Sequence, residues 1–163
     1  MALHRIYARH SGVSAAERLQ IPLIKHCVRT ALLRENIDKP CEVSVLITGD
    51  QVLRWMNNEY LGIDKPTDVL SFPMQPSDGP GRVYTGPGAV DPETGLIPLG
   101  EIVISAPRVI TQAKENGHSR EREAAYLTIH SLLHLIGYDH VDEAEGKKLM
   151  RKREKEILGE IGI

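Results

Sequence analysis

The sequence predicts an α+β fold, about four strands packed with four or five helices, and three observations carry that expectation. Short β-branched runs alternate with stretches of helical periodicity. Gly and Pro punctuate the junctions. The chain's 163 residues, 41% hydrophobic and 26% charged, suit one core of ordinary globular composition, so a single domain over 1–163 is expected.

The elements follow in order. Ile6 and Tyr7 mark a short N-terminal strand. A helix then runs through Ile21, Ile24, Val28, Ala31 and Leu32, with Pro22 at its start, where a missing N–H breaks no helical bond. Residues 42–48 are rich in β-branched side chains and read as a strand, after which Gly49 and Asp50 open a helix through Val52, Leu53, Met56 and Tyr60. Two further strands are expected at 68–73 and 100–105. Between them, residues 75–98 hold five Gly and five Pro, which predicts a flexible surface loop or flap. A helix starting near Pro107 runs through Val109, Ile110 and Ala113 to a stop at Asn116-Gly117. Ser119 caps the next helix, which carries Glu121 and Glu123 at the positive end of its dipole and runs through Leu127, Ile129 and Leu133 to Gly137. A last helix is expected over 143–158.

Composition narrows the function classes. The longest apolar runs fall far short of the ~20 residues a membrane span needs, and the first ten residues lack a signal-like apolar region. Cys27 and Cys41 belong to no Cys-x-x-Cys pair and read as reduced core thiols. A cytoplasmic protein with no membrane partner is expected. Net charge is −2, and the aromatics are one Trp, one Phe and five Tyr. Neither a global basic field nor a broad base-stacking platform is available, so an RNA substrate would have to be met by a local patch.

The chemistry-bearing segment is His130-Ser131-Leu132-Leu133-His134-Leu135-Ile136-Gly137-Tyr138-Asp139-His140. Residues four apart on a helix lie about 40° apart around its axis, so His130 and His134 can present imidazoles to one ion. Gly137 supplies a left-handed turn that lets His140 come back to the same point. Three neutral imidazoles suit zinc, one per chain, and leave a fourth position open, as in catalytic sites; the undiminished +2 charge can lower the pKa of a bound water to about 7. A metal-dependent hydrolase is the expectation. A zinc protease would carry Glu directly after the first His, and Ser131 stands there instead. His4, His10, His26 and His118 have no partner at ligand spacing and read as solvated or core residues. Residue spacing leaves phosphodiester, ester and amide substrates open.

The same segment resembles the signature of the YbeY family of metal-dependent endoribonucleases, His-Gly-x-Leu-His-Leu-x-Gly-Tyr-Asp-His, with Ser131 in place of Gly and every other fixed position met. A second block resembling that family is Asp64-Lys65-Pro66-Thr67-Asp68-Val69-Leu70-Ser71-Phe72-Pro73; a third spans residues 100–105, with Glu101 for Asp. The resemblance covers roughly residues 43–157. It implies a zinc-dependent, single-strand-specific endoribonuclease acting in ribosomal RNA processing and small-subunit maturation, with ribosomal RNA and the small subunit as partners and no role on DNA. Water on the zinc would be the nucleophile or the zinc would neutralise charge developing on the phosphodiester oxygens; no protein general base is assigned.

Two departures from the family pattern stand out. The 75–98 loop is longer than the family's usual connection, and Leu61 occupies a position where many members carry an Arg that the resemblance implies engages RNA phosphate. Arg54, Lys65 and Arg82 are the candidate substitutes. Asp68 and Asp139 are candidates to orient a ligand imidazole, and for each a turn-shaping role is equally open. The run Lys147, Lys148, Arg151, Lys152, Arg153 and Lys155, interrupted by Glu143, Glu145, Glu154 and Glu156, reads as a solvated helix face. Leu61 favours an alternative from another class: a ribosome-associated binding factor with a structural zinc site and little nuclease activity.

Overall fold

A computed structural model describes residues 3–138 and 144–163. Its elements are β1 (Arg5–His10), α1 (Ile21–Arg34), β2 (Cys41–Thr48), α2 (Asp50–Leu61), β3 (Val69–Pro73), β4 (Ile97–Ser105), α3 (Ala106–Asn116), α4 (Arg120–Leu135) and α5 (Ala144–Ile161). The α+β expectation holds among the described residues. A short 3-10 turn at Ala15–Glu17, which the sequence reading passed over, is held by Ser14 and Glu17 side chains.

The sheet has the order β1-β2-β4-β3. β1 and β2 are parallel and joined through α1, β2 and β4 are parallel, and β3 runs antiparallel to β4. Strand alternation sorts the apolar side chains onto two faces. Val43, Val45, Ile47, Ile102 and Ile104 join the main core with α1 and α4, whereas Leu46, Leu70 and Val103 form a smaller cluster with Leu53 of α2.

α4 lies between the sheet, α1, α3 and α5. Leu127, Ile129, Leu132 and Leu133 are all at most 2% exposed, and each buried aliphatic side chain contributes roughly 1.5–3 kcal/mol. The result is a fixed central helix whose C-terminal turn carries the histidines. Both ends of the preceding helix follow the expected chemistry: Ser105 accepts from the Arg108 N–H, and Gly117 is left-handed at φ 68°. Ser119 likewise accepts from the Arg122 N–H to start α4.

β4 begins at Ile97, earlier than the expected residue 100. Pro98 reads as loop in sequence, yet it sits opposite Glu42 where the register shifts, and a bulge spares Pro the ladder bond it cannot donate. Gly100 has φ 147°, and a Cβ there would run into the Phe72 carbonyl and the Leu135 side chain. Only Gly lets β3, β4 and α4 approach this closely. No helix among the described residues is long and apolar enough to cross a membrane.

Candidate functional site

A cleft of about 760 Å³ opens at the C-terminal end of α4, a volume typical of small-molecule or nucleotide-sized sites. β3 forms one wall, α4 the floor, and residues 75–77 and 82–84 of the long connection the opposite wall. That connection is laid against the helix end. The Gly81 N–H donates to the Ile136 carbonyl at 3.0 Å, and Ala89 and Leu96 are buried. Gly137 has φ 93°, and a Cβ there would collide with the Gly79 carbonyl, so the turn after α4 needs Gly twice over.

His130 and His134 lie on the cleft side of α4, one turn apart, with their Nε2 atoms 3.2 Å apart. Two nitrogens bound at 2.0–2.1 Å to one tetrahedral ion would stand roughly 3.3 Å apart. The pair therefore fits a shared zinc. Its place at the C-terminal end of a helix, where the dipole is negative, also favours a cation. His140 and Asp139, named from the sequence, lie outside the described residues. Among the described residues no group of three His, Cys, Asp or Glu side chains forms a metal site by itself.

Sequence reasoning missed the group behind His130. Glu154 of α5 is 5% exposed and its Oε1 lies 3.2 Å from His130 Nδ1. A carboxylate there keeps the proton on Nδ1 and leaves Nε2 as a lone-pair donor toward the cleft. Tyr126 stacks near His130, with ring centroids 5.8 Å apart. Burial, then the neighbouring Glu154 carboxylate, pushes its phenol up to about 12, so Tyr126 remains a hydrogen-bond donor to Glu154. The charged run reads as a solvated face in sequence; helical phase and burial put Glu154 inward, with Arg153 half-buried beside it. Arg153 reaches toward Glu35, which is 5% exposed. Tyr138, just after Gly137, has its phenol raised to about 12 by burial and by its hydrogen bond to Glu35. This cluster ties Tyr138 to the end of α1 and to α5.

Asp68 lines the cleft. Its Oδ1 accepts from the Val69 N–H at 2.8 Å and its Oδ2 from the Gln112 amide at 3.3 Å. Gln112 passes that contact to Glu123, 2% exposed, which also takes Asn116 and His118. Ser131 is fully buried and its hydroxyl has no partner among the described residues, while its carbonyl accepts from the Ser71 hydroxyl at 3.4 Å. Of the three cationic candidates, Arg82 lines the cleft and Arg54 and Lys65 do not. Arg54 holds Asp64 at 2.9 Å on the surface. Leu61 does line the cleft and is 57% exposed.

Comparison with known proteins places this arrangement. The model of the family described as Endoribonuclease YbeY matches residues 6–162. The Endoribonuclease YbeY of Clostridium tetani is 41% identical over 161 residues, covering 95% of both chains. Those of Thermoanaerobacter sp. strain X514 and Caldicellulosiruptor saccharolyticus are 42% and 48% identical, over 86% and 77% of this chain and 87% and 77% of theirs. The solution structure of TM1509 from Thermotoga maritima superposes with a TM-score of 0.56 at 26% identity, covering 97% of this chain and 91% of that one. The near-complete family match and relatives above 40% identity make the chain a member of the YbeY endoribonuclease family.

Proposed function

We propose that the chain is a zinc-dependent endoribonuclease that cleaves single-stranded RNA in this cleft, working in the cytoplasm on ribosomal RNA during small-subunit maturation. Family membership makes it a hydrolytic nuclease with RNA as its substrate. Zinc, strand preference and the ribosomal target go beyond that. The observation that carries the reading is the 3.2 Å Nε2–Nε2 separation of His130 and His134 on the cleft floor. His130, His134 and His140 would hold the ion. Bound there, zinc supplies positive charge against a phosphate oxygen and acidifies water toward neutral pH.

The protein's own groups do the positioning. Glu154, backed by Tyr126, fixes the ring of His130, and Arg82 offers a cation to the RNA backbone from the opposite wall. A concave cleft takes a single splayed strand more readily than a stacked duplex, whose bases and backbone are held in a rigid helix.

Leu61 in the cleft wall supports the second reading, a ribosome-associated binding factor with a structural zinc site. One experiment separates the two. Purified protein is given a labelled single-stranded RNA and the same RNA annealed as a duplex, and its binding to isolated small subunits is measured in parallel. Cleavage confined to the single strand supports the nuclease. Small-subunit binding without cleavage of either RNA supports the binding factor.

A further inference from the structure

The chain's Trp, its Phe and one of its tyrosines meet at a single exposed place beside the cleft. Tyr60 packs near-perpendicular to both Trp55 and Phe72, with centroids 6.2 and 5.4 Å away and ring planes at 81° and 71°. Phe72 is anchored in the small core under α2, whereas Trp55 and Tyr60 are 57% and 61% exposed. Each perpendicular contact covers only one face of one ring, and at their exposure Trp55 and Tyr60 keep aromatic surface open to solvent. The patch lies on the α2 side of the edge strand β3, next to the cleft: Leu61, which follows Tyr60, and Pro73, which follows Phe72, line the cleft. Two cations that the cleft does not use belong to the same region: the Lys65 backbone carbonyl accepts from Asn57 of α2, and Arg54, which precedes Trp55, is paired with Asp64 at 2.9 Å.

We propose that Trp55 and Tyr60 form a base-stacking surface that receives unpaired bases of single-stranded RNA as the strand leaves the cleft, with Lys65, and Arg54 on exchanging its exposed Asp64 partner, meeting its phosphates. Aromatic faces beside cations are the usual equipment for holding single strands without reading their sequence. A duplex, its bases already stacked, gains nothing from such a surface. The inference rests on the cleft being the RNA site, and it assigns single-strand preference partly to a surface outside the metal centre.

The lone Trp makes the test direct, since all tryptophan emission reports from the patch. Full-length protein is titrated with an end-labelled oligoadenylate under conditions where gels show the RNA intact, reading Trp55 emission and label anisotropy together. Emission is expected to fall saturably with the same midpoint as the anisotropy, and the duplex form to leave it unchanged. Trp55→Ala and Tyr60→Ala should each weaken binding about tenfold, with Trp55→Phe retaining most of the affinity. Binding seen by anisotropy with unchanged Trp55 emission and an unaffected Trp55→Ala would overturn the stacking surface and leave the RNA site standing. No anisotropy change at all would remove the RNA site itself. Emission that follows protein concentration instead of RNA would mean a second copy covers the patch, again overturning the proposal.

Discussion

Glu154 sits in a charged run with Arg153, Lys155 and Glu156, and nothing in that run marks it as buried. Its role depends on which side of α5 meets α4, a tertiary fact that composition does not encode. The histidine pair was legible because a four-residue spacing fixes its own geometry; the carboxylate behind it was not. Glu154→Ala is expected to weaken zinc binding about 10–100-fold, with Glu154→Gln intermediate, as read by competition against a chromogenic chelator. Equal affinity in all three proteins would mean that His130 is held by its helix alone. Ser131 makes a contrasting case. Its buried hydroxyl lacks a partner among the described residues, so Ser131→Ala should remove a desolvation cost of about 1 kcal/mol and raise Tm by roughly 2–4 °C. A lower Tm would show that the hydroxyl is satisfied. His4 and His10 accept the backbone N–H groups of Cys41 and Leu19 at 3.1 and 2.9 Å. Burial holds both below the ordinary value of 6.5, with the Arg18 charge adding to it at His10. The unfolded chain therefore binds protons more readily, and stability is lost as pH falls from 6.5 through the folded values. His4→Gln with His10→Asn should flatten urea-derived stability over that range relative to the parent; an unchanged slope would assign it to other groups.

Elements with local stop and start signals were readable: α3 between Pro107 and Gly117, α4 from Ser119, α2 from Asp50. The start of β4 was not, because Pro98 is tolerated there only through a register shift in its partner strand. The long connection after β3 reads as a Gly- and Pro-rich loop, and sequence gives no hint that its backbone lies on Gly137 and forms a cleft wall. The end of α2 carries a prediction at this scale. Leu61 is the last helical residue and lines the cleft, so Leu61→Arg places a cation at the negative end of the helix and on the cleft wall. One charge-assisted contact to phosphate is worth about 1.5–3 kcal/mol, so affinity for single-stranded RNA should rise on the order of tenfold and the gain should shrink with salt. Unchanged affinity together with a large loss in Arg82→Ala would mean that the opposite wall already supplies the phosphate contact.

Across the whole molecule, the sheet and α1, α3 and α5 serve to hold one helix end still. α4 is buried along most of its length, its C-terminal turn is packed by Gly137 against the long connection, and Tyr138 itself is tied to Glu35 after α1 and to Arg153 of α5. The scarcity of aromatics was legible in sequence, but not that Trp55, Tyr60 and Phe72 gather beside the cleft, since they come from two elements on one side of the sheet. Cys27 and Cys41 are fully buried, and burial raises both thiols to about 12, so neither competes with the histidines as a thiolate ligand. The central claim, a zinc-centred cleavage site at His130, His134 and His140, is tested most directly by titrating zinc into metal-stripped protein while following cleavage of a labelled single-stranded RNA. Cleavage should rise linearly to one equivalent per chain and then level off, and His134→Ala should stay inactive throughout. Full cleavage by the metal-stripped protein, or by His134→Ala, would contradict the account.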